Sequence, residues 1–282
     1  MAGTRANGDG HRNGSANGRR NGRSRARKPQ PRAIVLAGGR GTRLTPYTSV
    51  LPKPLMPIGD RSILEIVIEQ LAGCGIVDVT LCVGHLSHLI EAVIGGRERP
   101  GVSVDYVHEE EALGTAGPLR LVEGLDDTFI TMNGDVLSML DYGDLLRYHR
   151  ESGSILTIAT RRRRIKIDYG VLRLRTSNEL NRVYRYVEKP EVTSVVSMGI
   201  YVLEPRALEY IPPSGYFDFP DLVQALLRAD EPVQAYCYDG LWFDIGRHED
   251  YEQAVTAWLE SSQMADGDGA HLTPAVEEAL FR

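Results

Sequence analysis

The chain has 282 residues, 42% of them hydrophobic, and a formal net charge of −6 at pH 7. It is long enough for one large α/β domain or two small ones. It contains no apolar stretch of the roughly 20 residues that span a bilayer, so we predict no membrane partner. Cys74, Cys82 and Cys237 lie far apart without C-x-x-C spacing. This spacing argues against a zinc site or a disulfide framework and predicts buried thiols in a reducing cytoplasm.

The first 32 residues differ in charge from the remainder. They carry nine Lys or Arg residues and one Asp, which leaves −14 for the rest of the chain. Because this segment is rich in Gly, Asn and Arg and nearly free of apolar residues, we predict a disordered basic tail over 1–32. The acidic body would repel a polyanion, so nucleic acid is not a predicted partner. The segment also lacks the apolar core of a secretory signal, and we expect a cytoplasmic protein.

Residues 33–160 alternate between predicted strands and helices. Predicted strands cover 33–37, 77–83, 102–107, 129–132 and 154–160, and predicted helices cover 61–73, 85–94, 115–122 and 141–151. Asp60 is the predicted N-cap of the first helix. This alternation predicts an α/β fold, a Rossmann-like and mainly parallel sheet flanked by helices.

After residue 160 the predicted elements are mostly strands. Predicted strands cover 171–175, 182–187, 195–203 and 233–238, and predicted helices cover 205–210, 219–229 and 247–259. We therefore predict a single domain over 33–262, with a first lobe at 33–160 and a smaller mixed β lobe at 161–262. In the C-terminal tail, 263–282, Thr273-Pro274 predicts the start of a short helix. Its docking place is open, either this body or another subunit of a homo-oligomer.

The most informative segment is the loop after the first predicted strand, residues 36–57, LAGGRGTRLTPYTSVLPKPLMP. Gly38, Gly39 and Gly41 free the backbone to turn tightly and to bring its N–H groups against a ligand. Arg43 and Lys53 add two cations to the same loop. Backbone donors combined with cations are what a polyphosphate requires.

Two familiar phosphate-binding loops do not fit this segment. A Walker loop ends in Gly-Lys-Ser/Thr, whereas this turn ends in Gly41-Thr42-Arg43. A dinucleotide fingerprint needs a third glycine, where this chain has Leu44, and a helix that begins at once. The four prolines that follow prevent a regular helix until about residue 61. We therefore predict a long, proline-stiffened loop over a ligand.

Two aspartates lie at the ends of predicted elements, one after a strand and one just before a helix. Asp135 comes directly after the strand at 129–132, and Asp244 lies in the segment Trp-Phe-Asp-Ile-Gly at 242–246. Ligands of open α/β sheets bind at the carboxyl ends of the strands. Mg²⁺ typically takes one or two carboxylates and completes its shell with phosphate oxygens and water. Considered alone, each aspartate fits a turn or helix cap equally well.

The pattern Gly-Gly-x-Gly-Thr-Arg-Leu at 38–44, followed by Pro-Lys-Pro at 52–54, resembles the signature of sugar-1-phosphate nucleotidyltransferases. Five motifs follow the order of that family over residues 33–258. The resemblance implies a nucleotide-diphospho-sugar transferase fold and transfer of a nucleoside monophosphate from an NTP to a sugar 1-phosphate, with release of pyrophosphate. The form Leu-Gly-Thr-Ala-Gly at 113–117 is more similar to guanylyltransferases acting on mannose or heptose 1-phosphate, which favours GTP.

The resemblance also implies roles for individual residues. The implied catalytic residues are Arg43, Lys53 and Asp135, and Asp135 and Asp244 are the implied ligands of the Mg²⁺ cofactor. The implied nucleotide-binding residues are Leu36, Ala37, Gly38, Gly39, Gly41, Thr42, Glu109 and Gly114. The implied sugar-phosphate-binding residues are Gly170, Glu188, Lys189 and Gly199. The expected partners are therefore small molecules, an NTP and a sugar 1-phosphate.

Two features leave alternatives open. Ser197-Met198 stands where the family has Asn-Ala, so the sugar is not fixed. A different phospho-acceptor, such as an inositol phosphate or phosphocholine, stays possible, as does a non-catalytic nucleotide-sugar sensor. The run Arg161–Arg164 predicts either a solvated loop, which we favour, or a basic lid over an anionic sugar phosphate.

Overall fold

The computed structural model describes residues 31–177 and 180–265. Of the tail predicted over 1–32, residues 1–30 lie outside the described residues and Arg32 begins β1, and the predicted helix beginning at Thr273 also lies outside them. The strands are β1 (Arg32–Ala37), β2 (Pro57–Ile58), β3 (Arg61–Ser62), β4 (Asp78–Val83), β5 (Ser103–His108), β6 (Phe129–Asn133), β7 (Val136–Ser138), β8 (Leu156–Lys166), β9 (Val171–Ser177), β10 (Leu180–Val187), β11 (Glu191–Leu203), β12 (Val233–Cys237) and β13 (Trp242–Asp244). The helices are α1 (Ile63–Gly73), α2 (Ser87–Gly95), α3 (Tyr142–Ser152), α4 (Phe219–Arg228) and α5 (His248–Ala265).

Seven strands form one sheet in the order β12-β8-β11-β6-β1-β4-β5. β1 pairs in parallel with β4 and β6, β4 with β5, and β12 with β8. β11 alone in this sheet runs against its neighbours β6 and β8. The prediction of a mainly parallel α/β sheet is confirmed. None of the helices among the described residues is long and apolar enough to cross a bilayer.

The central strand β1 is buried on both faces. Ala33 and Val35 belong to a core cluster that includes much of α1, whereas Ile34 belongs to a second cluster on the opposite face. Successive side chains of a strand point to opposite faces, so one short apolar run contributes to both cores. Burial on both faces is typical of parallel strands covered by helices. The carboxyl end of β1 is therefore anchored from both sides.

Several predicted boundaries are wrong for local reasons. α1 begins at Ile63, and its N-cap is Ser62 instead of Asp60. Arg61 and Ser62 pair with β2 as β3, which moves the start of the helix two residues later. Ser62 Oγ accepts from the backbone N–H of Glu65, whose carboxylate accepts from the backbone N–H of Ser62. This reciprocal capping box satisfies donors that Asp60 would otherwise have to satisfy.

Three further expectations need correction. The helix predicted at 115–122 is a 3₁₀-helix over Gly117–Leu121, which begins with Pro118 in its first turn. The arginine run 161–164 lies inside β8 and is not a loop. Of the three cysteines, only Cys82 is buried, while Cys74 is half-buried and Cys237 is exposed.

The second lobe is built from long strands that extend beyond the main sheet. β8 is buried from Leu156 to Arg161 apart from the half-buried Ile158, and its continuation at 162–166 is exposed. β11 pairs along this continuation, with Ser194 opposite Arg163. The hairpin of β9 and β10 lies between these two strands in the sequence and pairs only with itself. We call β9, β10 and the paired outer parts of β8 (162–166) and β11 (191–195) the outer ribbon.

Candidate active site

The sheet brings the signature loop and the two predicted metal ligands to one edge. β1 and β6 are parallel neighbours, with Leu36 opposite Asn133, so the segments that follow them emerge side by side. The backbone N–H of Gly134 donates to the carbonyl of Leu36 at 2.8 Å. β13 pairs with β7, and the backbone N–H of Ile245 donates to the carbonyl of Asp135 at 3.2 Å. Asp135 and Asp244 therefore meet although they are distant in sequence.

Lys53 is held against Asp135. The residue is only 8% exposed, and its Nζ forms an ion pair with Oδ2 of Asp135. A 3₁₀-helix over Lys53–Leu55, preceded by Pro52, positions it at the carboxyl end of the sheet. Oδ1 of Asp135 is buried and accepts no hydrogen bond from the described residues. A buried carboxylate oxygen without a partner is an acceptor that a bound cation would satisfy.

The charges around Asp244 also fit a cation. Burial and then the neighbouring Asp135 carboxylate raise the pKa of Asp244, whereas Lys53 and Arg43 lower it. Two adjacent carboxylates, one with an unpaired oxygen, match the small protein contribution that Mg²⁺ requires. No group of three or more metal-binding side chains occurs in the described part of the chain. A metal here would therefore complete its shell with phosphate oxygens and water.

The signature loop folds back on itself around Gly41. Its φ of 60° lies in the left-handed region, and a Cβ there would stand 3.0 Å from Cγ2 of Thr48. Thr48 Oγ1 donates to the carbonyl of Gly41 at 2.8 Å, which closes the turn. At Gly38 a Cβ would overlap the Glu109 carboxylate. The positive φ favours glycine at position 41, whereas a side chain at position 38 would have to displace the Glu109 carboxylate.

Two adjoining cavities open between these segments. The first, which we call the nucleotide cavity, measures about 380 Å³. It is lined by Leu36, Gly38, Gly39, Arg43, Glu109, Ala112, Gly114, Thr115, Asn133, Asp135, Tyr216 and Asp244. The second, the loop cavity, measures about 200 Å³ and is lined by Leu36, Ala37, Gly39, Gly41, Arg43, Lys53, Pro54 and Asp135. Arg43 and Asp135 line both cavities, so cation and carboxylate stand where the two meet.

The part of the nucleotide cavity around Gly114 and Thr115 depends on a close backbone contact with Phe217. Gly114 has φ of 83°, and a Cβ there would stand 2.5 Å from the carbonyl oxygen of Phe217. Asp218 Oδ1 accepts from the backbone N–H of Thr115 at 2.8 Å and from its hydroxyl at 3.0 Å. Burial raises the pKa of Glu109, and a hydrogen bond from the backbone of Leu113 lowers it. The cavity therefore has a rigid, partly desolvated wall that could read a planar base.

The Nucleotidyl transferase family model matches residues 32–261 of this chain. The chain is 34% identical over 248 residues to the UTP–glucose-1-phosphate uridylyltransferase of Synechocystis sp., covering 81% of this chain and 63% of the relative. It is 31% identical to the mannose-1-phosphate guanyltransferase beta-A of Xenopus laevis, covering 86% of this chain and 69% of the relative. The chain belongs to the sugar-1-phosphate nucleotidyltransferase family.

The chain spans about two thirds of the length of those two relatives. It also resembles the crystal structure of HddC from Yersinia pseudotuberculosis complexed with GMP-PN, with a TM-score of 0.60 and 26% identity. That match covers 81% of this chain and 100% of HddC. The family resemblance found in the sequence and the predicted fold are both confirmed.

The predicted sugar-phosphate residues of the transferase divide into two places. Gly199, with φ of 73°, packs so closely on Asn133 that a Cβ would stand 2.7 Å from its Nδ2. It therefore lies against the nucleotide cavity. Gly170 packs on Tyr186, whose hydroxyl donates to Glu188, and Glu188 and Lys189 are exposed. These three line neither cavity described above.

The structure also adds cavity residues that the sequence pattern did not indicate. Ala112, Thr115, Asn133 and Tyr216 line the nucleotide cavity, whereas the predicted Thr42 is exposed and lines neither cavity. Asn133 and Ala112 are neighbours of predicted residues and could have been included on position alone. No sequence pattern indicated Tyr216. Its neighbour Phe217 accepts backbone hydrogen bonds from Ala116 and Gly117, and this long-range contact brings Tyr216 to the cavity.

Proposed function

We propose that this protein transfers a nucleoside monophosphate from an NTP to a sugar 1-phosphate, giving an NDP-sugar and pyrophosphate. The observation that carries the proposal is the convergence of Lys53, Asp135, Asp244 and Arg43 where the nucleotide and loop cavities meet. A triphosphate placed across the two cavities would have its reacting phosphorus beside these groups. Membership of the family supports the same reaction class.

The residues present can perform this reaction by positioning and charge neutralisation. The acceptor phosphate is already anionic, so its attack on the α-phosphorus needs no general base. Glycine backbone groups of the signature loop would hold the phosphates, while Lys53 and Arg43 would neutralise the departing pyrophosphate. Asp135 and Asp244 would hold Mg²⁺, which when bound supplies charge stabilisation to the phosphoryl oxygens.

We infer GTP as the favoured donor. The Leu-Gly-Thr-Ala-Gly sequence at 113–117, the guanylyltransferases among the relatives and the likeness to a structure complexed with GMP-PN support this choice. A uridylyltransferase is also among the relatives, so UTP is the alternative donor. The non-catalytic sensor is disfavoured because Arg43, Lys53 and both aspartates are present and brought together.

The test is pyrophosphate release by the full chain, measured with Mg²⁺, the five common NTPs and a panel of sugar 1-phosphates. We expect release with one base and a narrow set of acceptors, and no release when EDTA replaces Mg²⁺. The control panel contains inositol 1-phosphate and phosphocholine. Pyrophosphate release with these two compounds alone would show that the acceptor is not a sugar 1-phosphate. NTP binding without pyrophosphate release from any acceptor would support the non-catalytic sensor.

A further inference from the structure

A third cavity, of about 260 Å³, adjoins the nucleotide cavity at Asp244. We call it the arginine cavity. It is lined by Arg43, Arg161, Arg163, Trp242, Phe243, Asp244, Gly246, Arg247, Asp250 and Gln253. It shares Arg43 and Asp244 with the nucleotide cavity, so a molecule that reacts beside Asp244 can extend into it.

Positive charge dominates this cavity. Four arginines face two aspartates along its lining. Within the described residues, the side chains of Arg43, Arg163 and Arg247 have no carboxylate within 4.0 Å. Arg161 is 3% exposed and donates to the carbonyl of Gly240, which fixes it in the wall. The three guanidinium groups of Arg43, Arg163 and Arg247, which lack a paired carboxylate among the described residues, favour an anionic ligand.

A bound triphosphate would already have cations of its own outside this cavity. The loop cavity already offers Lys53, Arg43 and the glycine backbone to the phosphates of an NTP. Arg161 and Arg163 instead come from β8, the strand that continues toward Gly170 in the second lobe. Because the predicted sugar-phosphate residues Gly170, Glu188 and Lys189 follow β8 in the chain, this origin favours the acceptor over the triphosphate as the ligand of the cavity.

The remaining wall suits a sugar ring. Trp242 Nε1 donates to the carbonyl of Met198 at 3.0 Å, which holds the half-buried indole in one orientation. An indole offers a flat apolar surface against which the C–H face of a sugar can pack. A 1-phosphate at the junction beside Asp244 and a ring on Trp242 would leave Arg163 and Arg247 for a group farther along the acceptor.

We propose that the arginine cavity binds a second anionic group of the acceptor, so that the substrate class is a sugar 1-phosphate bearing another phosphate or a carboxylate. This inference rests on the proposed transferase function. It assigns Arg163 and Arg247, which line the cavity, to acceptor specificity, whereas Lys189 lines none of the described cavities. The sequence left open that the arginine run covers an anionic sugar phosphate. Here Arg163 of that run is assigned to a second anionic group instead of the 1-phosphate.

The test compares three acceptors with the full chain and its favoured NTP: a hexose 1-phosphate, the hexose 1,6-bisphosphate and the hexuronic acid 1-phosphate. We expect kcat/KM to be about ten-fold or more higher for at least one charged acceptor than for the neutral one. Arg163→Gln should lower the ratio of kcat/KM for the charged acceptor to kcat/KM for the neutral one by about ten-fold. Arg163→Lys should restore part of that ratio. The two charged acceptors distinguish a phosphate from a carboxylate.

The matched control is Arg164→Gln, which removes the same charge from the next residue of β8. Arg164 is exposed and does not line the cavity, so the ratio should stay at its wild-type value. Inhibition by added pyrophosphate should be equal in the wild type and Arg163→Gln. Weaker pyrophosphate inhibition in the variant would overturn the inference by assigning the cavity to the leaving group.

Two further outcomes separate this inference from the proposed function. Release with the neutral acceptor, without preference for either charged one, would overturn the inference and leave the transferase function intact. Absence of release with every acceptor and NTP would overturn both. In Arg163→Gln, kcat/KM could instead fall by the same factor for all three acceptors. That result would place the 1-phosphate in the cavity and would contradict the proposal that the cavity binds a second anionic group.

Discussion

The two sides of the reaction centre differ in how the fold supports them. On the nucleotide side, β1 is buried on both faces, Lys53 is 8% exposed, and glycine contacts leave the signature loop little freedom. In the outer ribbon, the hairpin of β9 and β10 pairs only with itself, and Leu172, Leu174 and Tyr186 are about half exposed. The strand β8 joins the two, since it is buried to Arg161 and exposed beyond it.

This difference indicates a division of labour. Groups that stabilise charge in a transition state act best when they are fixed before the substrate arrives, because no reorganisation is then needed. The nucleotide side meets this requirement through packing and ion pairing. The exposed side chains of the outer ribbon are less constrained by packing, so we expect a bound acceptor to supply part of their order. We expect mutations on the two sides to differ accordingly.

The largest expected effect is that of Asp135→Asn. It removes a charge from the proposed metal site and leaves the buried Lys53 ammonium without its carboxylate. We expect kcat to fall by about 10³-fold or more, which corresponds to about 4 kcal/mol. The measurement is pyrophosphate release across a Mg²⁺ titration, with the melting temperature as a control for folding. Retained turnover with an ordinary Mg²⁺ dependence would refute the metal assignment.

A pair of leucine substitutions tests the structural side of the comparison. Leu71 is fully buried on α1, whereas Leu174 in β9 is 51% exposed. We expect Leu71→Ala to lower the free energy of unfolding by about 2–5 kcal/mol and Leu174→Ala by less than about 0.5 kcal/mol. Urea unfolding measures both. A large loss at Leu174 would show that the outer ribbon is packed against something in solution, and would break the comparison.

Arg43→Ala separates catalysis from stability within the signature loop. Arg43 lines all three cavities, yet its side chain is exposed and makes no ion pair among the described residues. We expect turnover to fall by more than about 10²-fold, or about 2.7 kcal/mol, with little change in melting temperature. Arg40→Ala, at an exposed neighbour that lines none of these cavities, is the matched control. Equal turnover in the two variants would remove Arg43 from the mechanism.

The same contrast explains what the sequence could predict. The signature loop, Asp135 and Gly114 lie in contiguous motifs next to apolar strands, so their chemistry is visible in short windows. Tyr216, Arg163 and Arg247 reach their cavities only through tertiary structure, since loop and strand pairing brings them there. Asp60 was a plausible cap by type, but pairing of β2 with β3 placed Ser62 at the helix start. Residues in contiguous motifs could therefore be predicted from the sequence, whereas residues brought together by long-range pairing could not.

The smallest expected effect concerns the pH dependence of stability on the buried side. His149 is 1% exposed on α3, with Nδ1 2.8 Å from Thr157 Oγ1 and Nε2 3.1 Å from Glu204 Oε1. Burial lowers the pKa of His149 below its usual 6.5, and the Glu204 carboxylate partly opposes this. As the pH falls below about 6.5, the unfolded chain takes up this proton first, so stability decreases toward the lower folded pKa.

One such group changes the free energy of unfolding by at most about 1.4 kcal/mol per pH unit. His149→Gln retains polar atoms but cannot titrate, so its urea-unfolding free energy should depend less on pH between about 7.5 and 5.5. Taking the difference from the wild type cancels the other titrating groups, including Glu109 and Asp244, whose raised pKa values act in the opposite direction at more acidic pH. Parallel pH profiles for the two proteins would show that His149 keeps its ordinary pKa, with the Glu204 carboxylate offsetting the effect of burial.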